Sequence, residues 1–164
     1  MLKLGDQAPQ FTLKGVDGRQ HSLDELKGQK GIAVIFSCNH CPYVKAYEDR
    51  MIELAKEYQP KGIPFVLINA NDPVKYPEDS FENMIKRAEE KGYPFPYLWD
   101  ETQEIARAYA AERTPEVFLF DSELKLRYHG TIDDNWEDAA KATKHYLKDA
   151  LEALLQGADP QVKE

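Results

Sequence analysis

The chain has 164 residues and a mass of 18.8 kDa, enough for one sizeable hydrophobic core and too short to need a second. Lys and Arg total 21 against 29 Asp and Glu, a formal charge of −8, which removes the basic footprint of a nucleic-acid or anionic-membrane binder. With 42% apolar residues, two cysteines and no apolar run near the ~18 residues of a membrane span, the sequence predicts one cytoplasmic domain over 1–157 and a flexible polar tail over 158–164.

Two short strands, 11–13 and 20–23, flank Val16-Asp17-Gly18. The Asp-Gly pair favours a tight turn, so the chain opens with a β-hairpin. Residues 32–36 are apolar without alternation, the pattern of a strand covered on both faces. From Val44, apolar side chains recur at Tyr47, Met51, Leu54, Ala55 and Tyr58, one face of a helix that ends near Pro60 and Gly62. Residues 65–68 form a second buried strand, with Pro64 acceptable at its start. The strand-helix-strand order implies parallel pairing through a right-handed crossover.

Asp79 followed three residues later by Glu82 reads as a capping box for a helix with Phe81, Met84, Ile85 and Ala88 inward and Gly92 as its stop. Tyr93-Pro94-Phe95-Pro96-Tyr97 reads either as an apolar recognition rim or as a rigid connection. A shorter helix is expected after Asp100, with Gln103 at the matching position and Ile105, Ala106 and Tyr109 inward. Arg113-Thr114-Pro115 then leads into a strand over 117–120, a turn at 121–123 and a more polar strand over 125–129, an antiparallel edge hairpin. The acidic run Asp133, Asp134, Glu137 and Asp138 reads as a solvated helix start, with Trp136 as a packing anchor. The last helix turns Tyr146, Leu147, Ala150, Leu151, Leu154 and Leu155 inward and stops at Gly157.

Both cysteines fall in Cys38-Asn39-His40-Cys41, between the first buried strand and the helix that follows. Unpaired backbone N–H groups and the positive end of the helix dipole favour the thiolate of a cysteine at a helix start. A thiolate there attacks disulfides, and a second thiol three residues away resolves the mixed disulfide that results. A protonated His40 would add a favourable charge, against the alternative of a merely solvated loop histidine. A structural zinc needs two more ligands, and the remaining histidines, His21, His129 and His145, show no paired metal spacing. Redox chemistry is therefore the preferred reading, with no resident metal or cofactor.

The order strand, cysteine pair, helix, strand, Thr-Pro, hairpin, terminal helix resembles the thioredoxin fold. That resemblance implies a three-layer α/β/α sandwich with a mixed central sheet and an N-terminal hairpin extension. The opening Gly5-Asp6-Gln7-Ala8-Pro9-Gln10-Phe11, with Asp17-Gly18 and Leu23, resembles the redoxin branch, the peroxiredoxin and alkyl hydroperoxide reductase relatives. Cys38-Asn39-His40-Cys41-Pro42-Tyr43-Val44 and Ile132-Asp133-Asp134-Asn135-Trp136 resemble a peroxiredoxin-like subgroup of thioredoxin-family proteins. The resemblance implies a cis Pro115 packed against the cysteines, and a Thr114 backbone offered to an extended substrate segment.

Spacing from Phe36 matches Cys41 to the attacking position of thioredoxins, with Pro42 after it and Val44 where the resolving cysteine usually stands. Cys38 then resolves from the preceding loop; a helix starting three residues earlier would instead make Cys38 the attacker. Neither cysteine has the hydroxyl residue that peroxiredoxins carry three positions earlier: those positions are Ile35 and Cys38. Arg113 lies near the region of the peroxide-orienting arginine without occupying its position. The strand over 32–36 also lacks the buried acid that assists thioredoxin catalysis.

The expected function is thiol-disulfide exchange by Cys41 and Cys38, with Asn39, His40, Pro42, Thr114 and Pro115 around the substrate. Its partner is a protein or small-molecule disulfide, and the chain is a monomer or weak homo-oligomer. Two alternatives stand beside it: a thiol peroxidase reducing hydroperoxides through Cys41, and a metal-binding or copper-delivery module using Cys38, Cys41 and His129.

Overall fold

The computed structural model describes residues 2–158; the expected tail falls, from residue 159 on, outside the described residues. A seven-stranded sheet runs through the molecule. Its strands, in chain order, are β1 (Thr12–Gly15), β2 (Gln20–Ser22), β3 (Gly31–Ser37), β4 (Phe65–Asn69), β5 (Tyr97–Trp99), β6 (Glu116–Asp121) and β7 (Leu126–Gly130). In space they follow the order β2-β1-β5-β4-β3-β6-β7. β3 pairs parallel with β4 and antiparallel with β6, so the sheet is mixed. The hairpin of β1 and β2 extends it at one edge, because β1 also pairs antiparallel with β5. Of β5 the sequence implies only that the connection over 93–97 leads from a helix into a strand, without bounds. Three residues between two prolines and a polar turn carry too little periodicity to announce a strand, and its place is set by parallel pairing with β4.

Five helices cover the sheet: α1 (Leu23–Leu26), α2 (Pro42–Tyr58), α3 (Phe81–Lys91), α4 (Glu104–Tyr109) and α5 (Tyr146–Leu155). Strand alternation divides the core in two. Ala33 and Ile35 of β3 face a cluster built with Val44, Met51 and Ala55 of α2, Met84 of α3 and Leu151 of α5. Ile32, Val34 and Phe36 face Leu23, Tyr109 and the N-terminal Phe11. Covered on both sides, β3 is buried along its whole length, which explains its unbroken apolar run. At its start, Gly31 (φ +149°) passes so near β6 that an added Cβ would meet the Phe120 carbonyl oxygen at 2.1 Å. Only glycine fits that approach.

Helix starts differ from expectation at two places. α3 is capped by Ser80, whose hydroxyl accepts from the Asn83 amide, and Asp79 lies in the preceding 3₁₀ turn. Asp79 and Ser80 are adjacent residues of capping type, and only one can occupy the cap. α4 begins at Glu104 rather than directly after Asp100; the buried Asp100 instead accepts from the Ala106 amide. Gly92 ends α3 in a left-handed conformation (φ +60°), as expected of a glycine stop.

Candidate active site

β3 delivers the cysteines. After Ser37 the chain leaves the sheet, and α2 starts at Pro42, with Cys41 as its N-cap. Proline suits that first helical position because its missing N–H would be unpaired there anyway. The register Ile35↔Val117 and Phe36↔Glu116 brings the end of β3 beside the start of β6. Continuing it places Pro115 across from Ser37 and Thr114 across from Cys38. The Thr114–Pro115 peptide is cis. The Cys38 sulfur lies 3.6 Å from Thr114 Oγ1, and the Cys41 thiol donates to the Thr114 carbonyl at 3.6 Å.

Both cysteines are free thiols in unequal settings. Cys38 is fully buried, and burial pushes its thiol up to about 11. The Asp79 charge pushes the same way, while the Thr114 hydroxyl and the Cys41 amide favour the thiolate. That amide donates to the Cys38 sulfur at 3.3 Å. Cys41 is partly exposed, and Pro42 and Tyr43 beyond it are exposed. Val44, at the usual place of a resolving cysteine, is buried in the core beneath.

Asp79, wholly buried, holds the cysteine loop. Its carboxylate accepts from the Asn39 amide at 2.6 Å and from Asn71 Nδ2 at 2.8 Å, and meets His40 Nδ1 at 2.5 Å. The His40 ring stacks on Tyr76, with centroids 5.3 Å apart, and keeps 31% of its side chain exposed. Asn39 turns inward: Nδ2 donates to the Glu78 carbonyl, and Oδ1 accepts from Tyr97 OH at 2.8 Å. Both polar atoms of that side chain are engaged within the protein, so Asn39 positions the loop.

A second buried carboxylate, Glu116, holds the opposite wall. Oε1 accepts from the Glu112 and Arg113 amides at 2.8 and 3.1 Å, and Oε2 meets His129 Nε2 at 2.6 Å. His129 also stacks on Phe118, centroids 4.4 Å apart. The expected metal set of Cys38, Cys41 and His129 is corrected: His129 pairs through Nε2 with Glu116 and is not among the donors that converge at the cysteines. Among the described residues, the donors that converge are Cys38, His40 and Asp79, whose ligand atoms lie within 4.8 Å of one another.

Of the acidic run near 133, Asp134 and Glu137 are exposed and Asp138 caps the 3₁₀ turn Ala139–Lys141, as a solvated helix start would, but Asp133 departs from that expectation. Asp133 is buried and binds Arg50 at 2.8 Å and Tyr47 OH at 3.0 Å, tying the loop after β7 to α2. Trp136 is 39% exposed and meets Tyr43 edge-on at 4.6 Å, so it rims the cysteine loop instead of anchoring the core. Tyr93 packs against both Phe95 and Tyr97 in a connection into β5, with Tyr93 OH on Glu48 at 2.6 Å.

Comparison with known proteins agrees with this architecture. The AhpC/TSA family profile matches residues 4–129. The chain belongs to the AhpC/TSA family. It is 30% identical over 155 residues to the thiol-disulfide oxidoreductase ResA of Geobacillus thermodenitrificans, covering 93% of this chain and 79% of that one. An uncharacterized conserved protein from Geobacillus kaustophilus superposes with a TM-score of 0.94 at 48% identity, over 100% of this chain and 88% of that one. Peroxidoxin BcpB from Mycobacterium tuberculosis superposes with a TM-score of 0.73 at 18% identity, over 96% of this chain and 98% of that one, a likeness of fold alone. The fold is thioredoxin-like, and the chain is a redoxin-family oxidoreductase with a paired Cys38 and Cys41.

Asp79 and Glu116 are the site residues of this AhpC/TSA member that sequence reasoning missed. For Asp79 the available signal was the neighbouring Ser80, an equally good cap. For Glu116 it was a carboxylate opening a strand whose next four residues are all apolar. β3 has no buried acid, whereas the 3₁₀ turn before α3 places Asp79 beside the cysteine loop.

Proposed function

We propose that this chain is a thiol-disulfide oxidoreductase in which Cys41 attacks and Cys38 resolves. The reading is carried by the unequal placement of the two thiols. One caps a helix at the surface; the other is buried with its sulfur 3.3 Å from the first one's amide. A partner disulfide meets Cys41, since Cys38 has no exposed surface. On ionisation Cys41 loses its hydrogen bond to the Thr114 carbonyl, and the amides of Tyr43 and Val44, second and third in α2, are the groups an N-cap side chain reaches. The thiolate attacks one sulfur of the partner disulfide and expels the other as a thiolate, leaving a mixed disulfide on Cys41. Cys38 then attacks the Cys41 sulfur and releases the second partner thiolate. Two electrons have passed to the partner, and the chain holds a Cys38–Cys41 disulfide.

The second step needs a base, because burial holds the Cys38 proton. Asp79 and His40 are the acceptors at hand, and the partly exposed His40 ring opens the path to water. Thr114 and Pro115 form the wall against which the partner segment lies, and His40 and Pro42 form its near rim.

The test is to treat reduced wild type and Cys38→Ser with hydroxyethyl disulfide and map the products by mass spectrometry. Wild type should close an internal disulfide, and Cys38→Ser should accumulate a mixed disulfide on Cys41. Hydroperoxide at equal concentration should oxidise the pair no faster than free cysteine. An adduct on Cys38 in a Cys41→Ser variant, with none on Cys41 in Cys38→Ser, overturns the assignment.

A further inference from the structure

At the carboxyl ends of the parallel strands β3 and β4, where the topology of an α/β sheet opens a crevice, lies a cavity of about 560 Å³. That volume is in the range of small-molecule sites. Ser37 and Thr114 are among its lining residues. Thr114 is therefore shared: its hydroxyl and carbonyl approach the two cysteine sulfurs at 3.6 Å, and the same residue bounds the cavity. Neither cysteine lines the cavity, so a molecule seated there reaches the thiols across Thr114.

Three features of the lining point to a ligand. The Ser37 hydroxyl is buried and has no hydrogen-bond partner among the described residues, an unsatisfied group of a kind that folded proteins rarely leave. Ala106 on α4 presents only a methyl group, which leaves the space open. Two guanidinium groups line the cavity against one carboxylate, in a chain whose net charge is −8. Arg107 donates to the Thr102 carbonyl, and the Arg113 guanidinium has no partner among the described residues, although Glu112 is its chain neighbour. Guanidinium groups recognise carboxylates with paired, charge-assisted hydrogen bonds.

We infer that this cavity is a subsite for the body of a low-molecular-weight disulfide that carries carboxylates, of about tripeptide size. Arg107 and Arg113 bind the carboxylates, Ser37 and Thr114 supply polar contacts near the sulfur, and the disulfide is presented to Cys41. The inference rests on the exchange reading for its chemistry. The reduced pair gives two electrons, one disulfide bond of the ligand breaks to two thiols, and the Cys38–Cys41 bond forms.

The test compares three disulfides on the reduced chain: glutathione disulfide with carboxylate ends, cystamine with ammonium ends, and neutral hydroxyethyl disulfide. Each rate is divided by the rate of the same disulfide with free N-acetylcysteine, which removes intrinsic reactivity. Glutathione disulfide should then exceed cystamine at least tenfold at low salt. Arg107→Gln/Arg113→Gln should remove most of that preference without changing the hydroxyethyl disulfide rate, and Ala106→Leu should raise KM for glutathione disulfide alone. Binding is read separately from reaction with S-methylglutathione, which cannot exchange: it should shift the amide resonances of Ser37, Arg113 and Thr114, and the double variant should abolish those shifts. Equal normalised rates, or a preference that survives the double variant, overturn the subsite while leaving exchange intact. Failure of all three disulfides with S-methylglutathione still bound overturns the exchange reading and keeps the carboxylate site. Absence of both reaction and binding overturns both.

Discussion

The cysteine pair stands between two walls, each fixed by a buried carboxylate, and the two carboxylates are spent differently. Glu116 gives one oxygen to two backbone amides and the other to His129, whose ring is stacked on Phe118. These partners fix the loop that carries Thr114 and Pro115, and the His129 side chain keeps 17% of its surface exposed. Asp79 also grips its loop through an amide and a side-chain amide, but its third partner, His40, keeps part of its ring in water. Its carboxylate and the Cys38 sulfur belong to one cluster within 4.8 Å. The same chemical group thus serves as a clamp whose histidine is mostly covered on one side, and as a clamp whose histidine is nearly twice as exposed, at 31% against 17%, on the other. In the proposed mechanism, protons leave on the side of the more exposed histidine.

Removing the sulfur that both walls serve has the largest expected effect. Cys41→Ser should reduce disulfide exchange by at least about a thousandfold, read from hydroxyethyl disulfide turnover, since no other partly exposed thiol remains. Next come the two carboxylates. Asp79→Asn removes a proton acceptor and also a charge that holds the Cys38 thiol up. With Asp79 as the base, loss of the acceptor dominates, and closure of the internal disulfide should slow about tenfold near neutral pH. Faster closure with a pH dependence moved downward would show that Asp79 acts only through its charge. Glu116→Gln should leave the pH dependence of closure in place and cost roughly 1–3 kcal/mol in urea unfolding, because a hydrogen bond to a charged group is weakened on the wall opposite the proton path. A shifted profile in Glu116→Gln, with none in Asp79→Asn, would reverse the comparison. A smaller effect belongs to Tyr76→Ala, which removes the ring stacked on His40. It should cost about 0.5–1 kcal/mol and leave the exchange rate within twofold, since an exposed stack orients the imidazole without holding its proton.

Much of this arrangement was legible in the sequence because it depends on pattern. The unbroken apolar runs gave β3 and β4, the spacing from Val44 to Tyr58 gave α2, and Asp17-Gly18 gave the opening turn. The distance from Phe36 to Cys41 placed the second cysteine, rather than the first, at the helix cap. The carboxylates were hidden for the opposite reason. Asp79 reaches Asn39 across 40 positions, and Asp133 reaches Arg50 across 83. Such pairs are made by tertiary packing and leave no local period. Asp79 was read as a cap because a cap is what an acid before a helix does locally, and the neighbouring Ser80 released it for another use. His129 was read as a free donor, since its strand partner Phe118 and its acid Glu116 meet it only through β6–β7 pairing.

The central claim is that the partly exposed Cys41 attacks and the buried Cys38 waits. It is tested most directly by alkylating the reduced protein with iodoacetamide over pH 6 to 11, a range spanning the ordinary thiol value of roughly 8.5, and mapping the label by mass spectrometry. Burial that pushes the Cys38 thiol up to about 11 keeps it protonated and shielded through neutral pH, and its thiolate gains only as pH rises toward that value. The account predicts label on Cys41 first, with Cys38 following only in the alkaline part of the series. Label on Cys38 at neutral pH while Cys41 remains unmodified would contradict it.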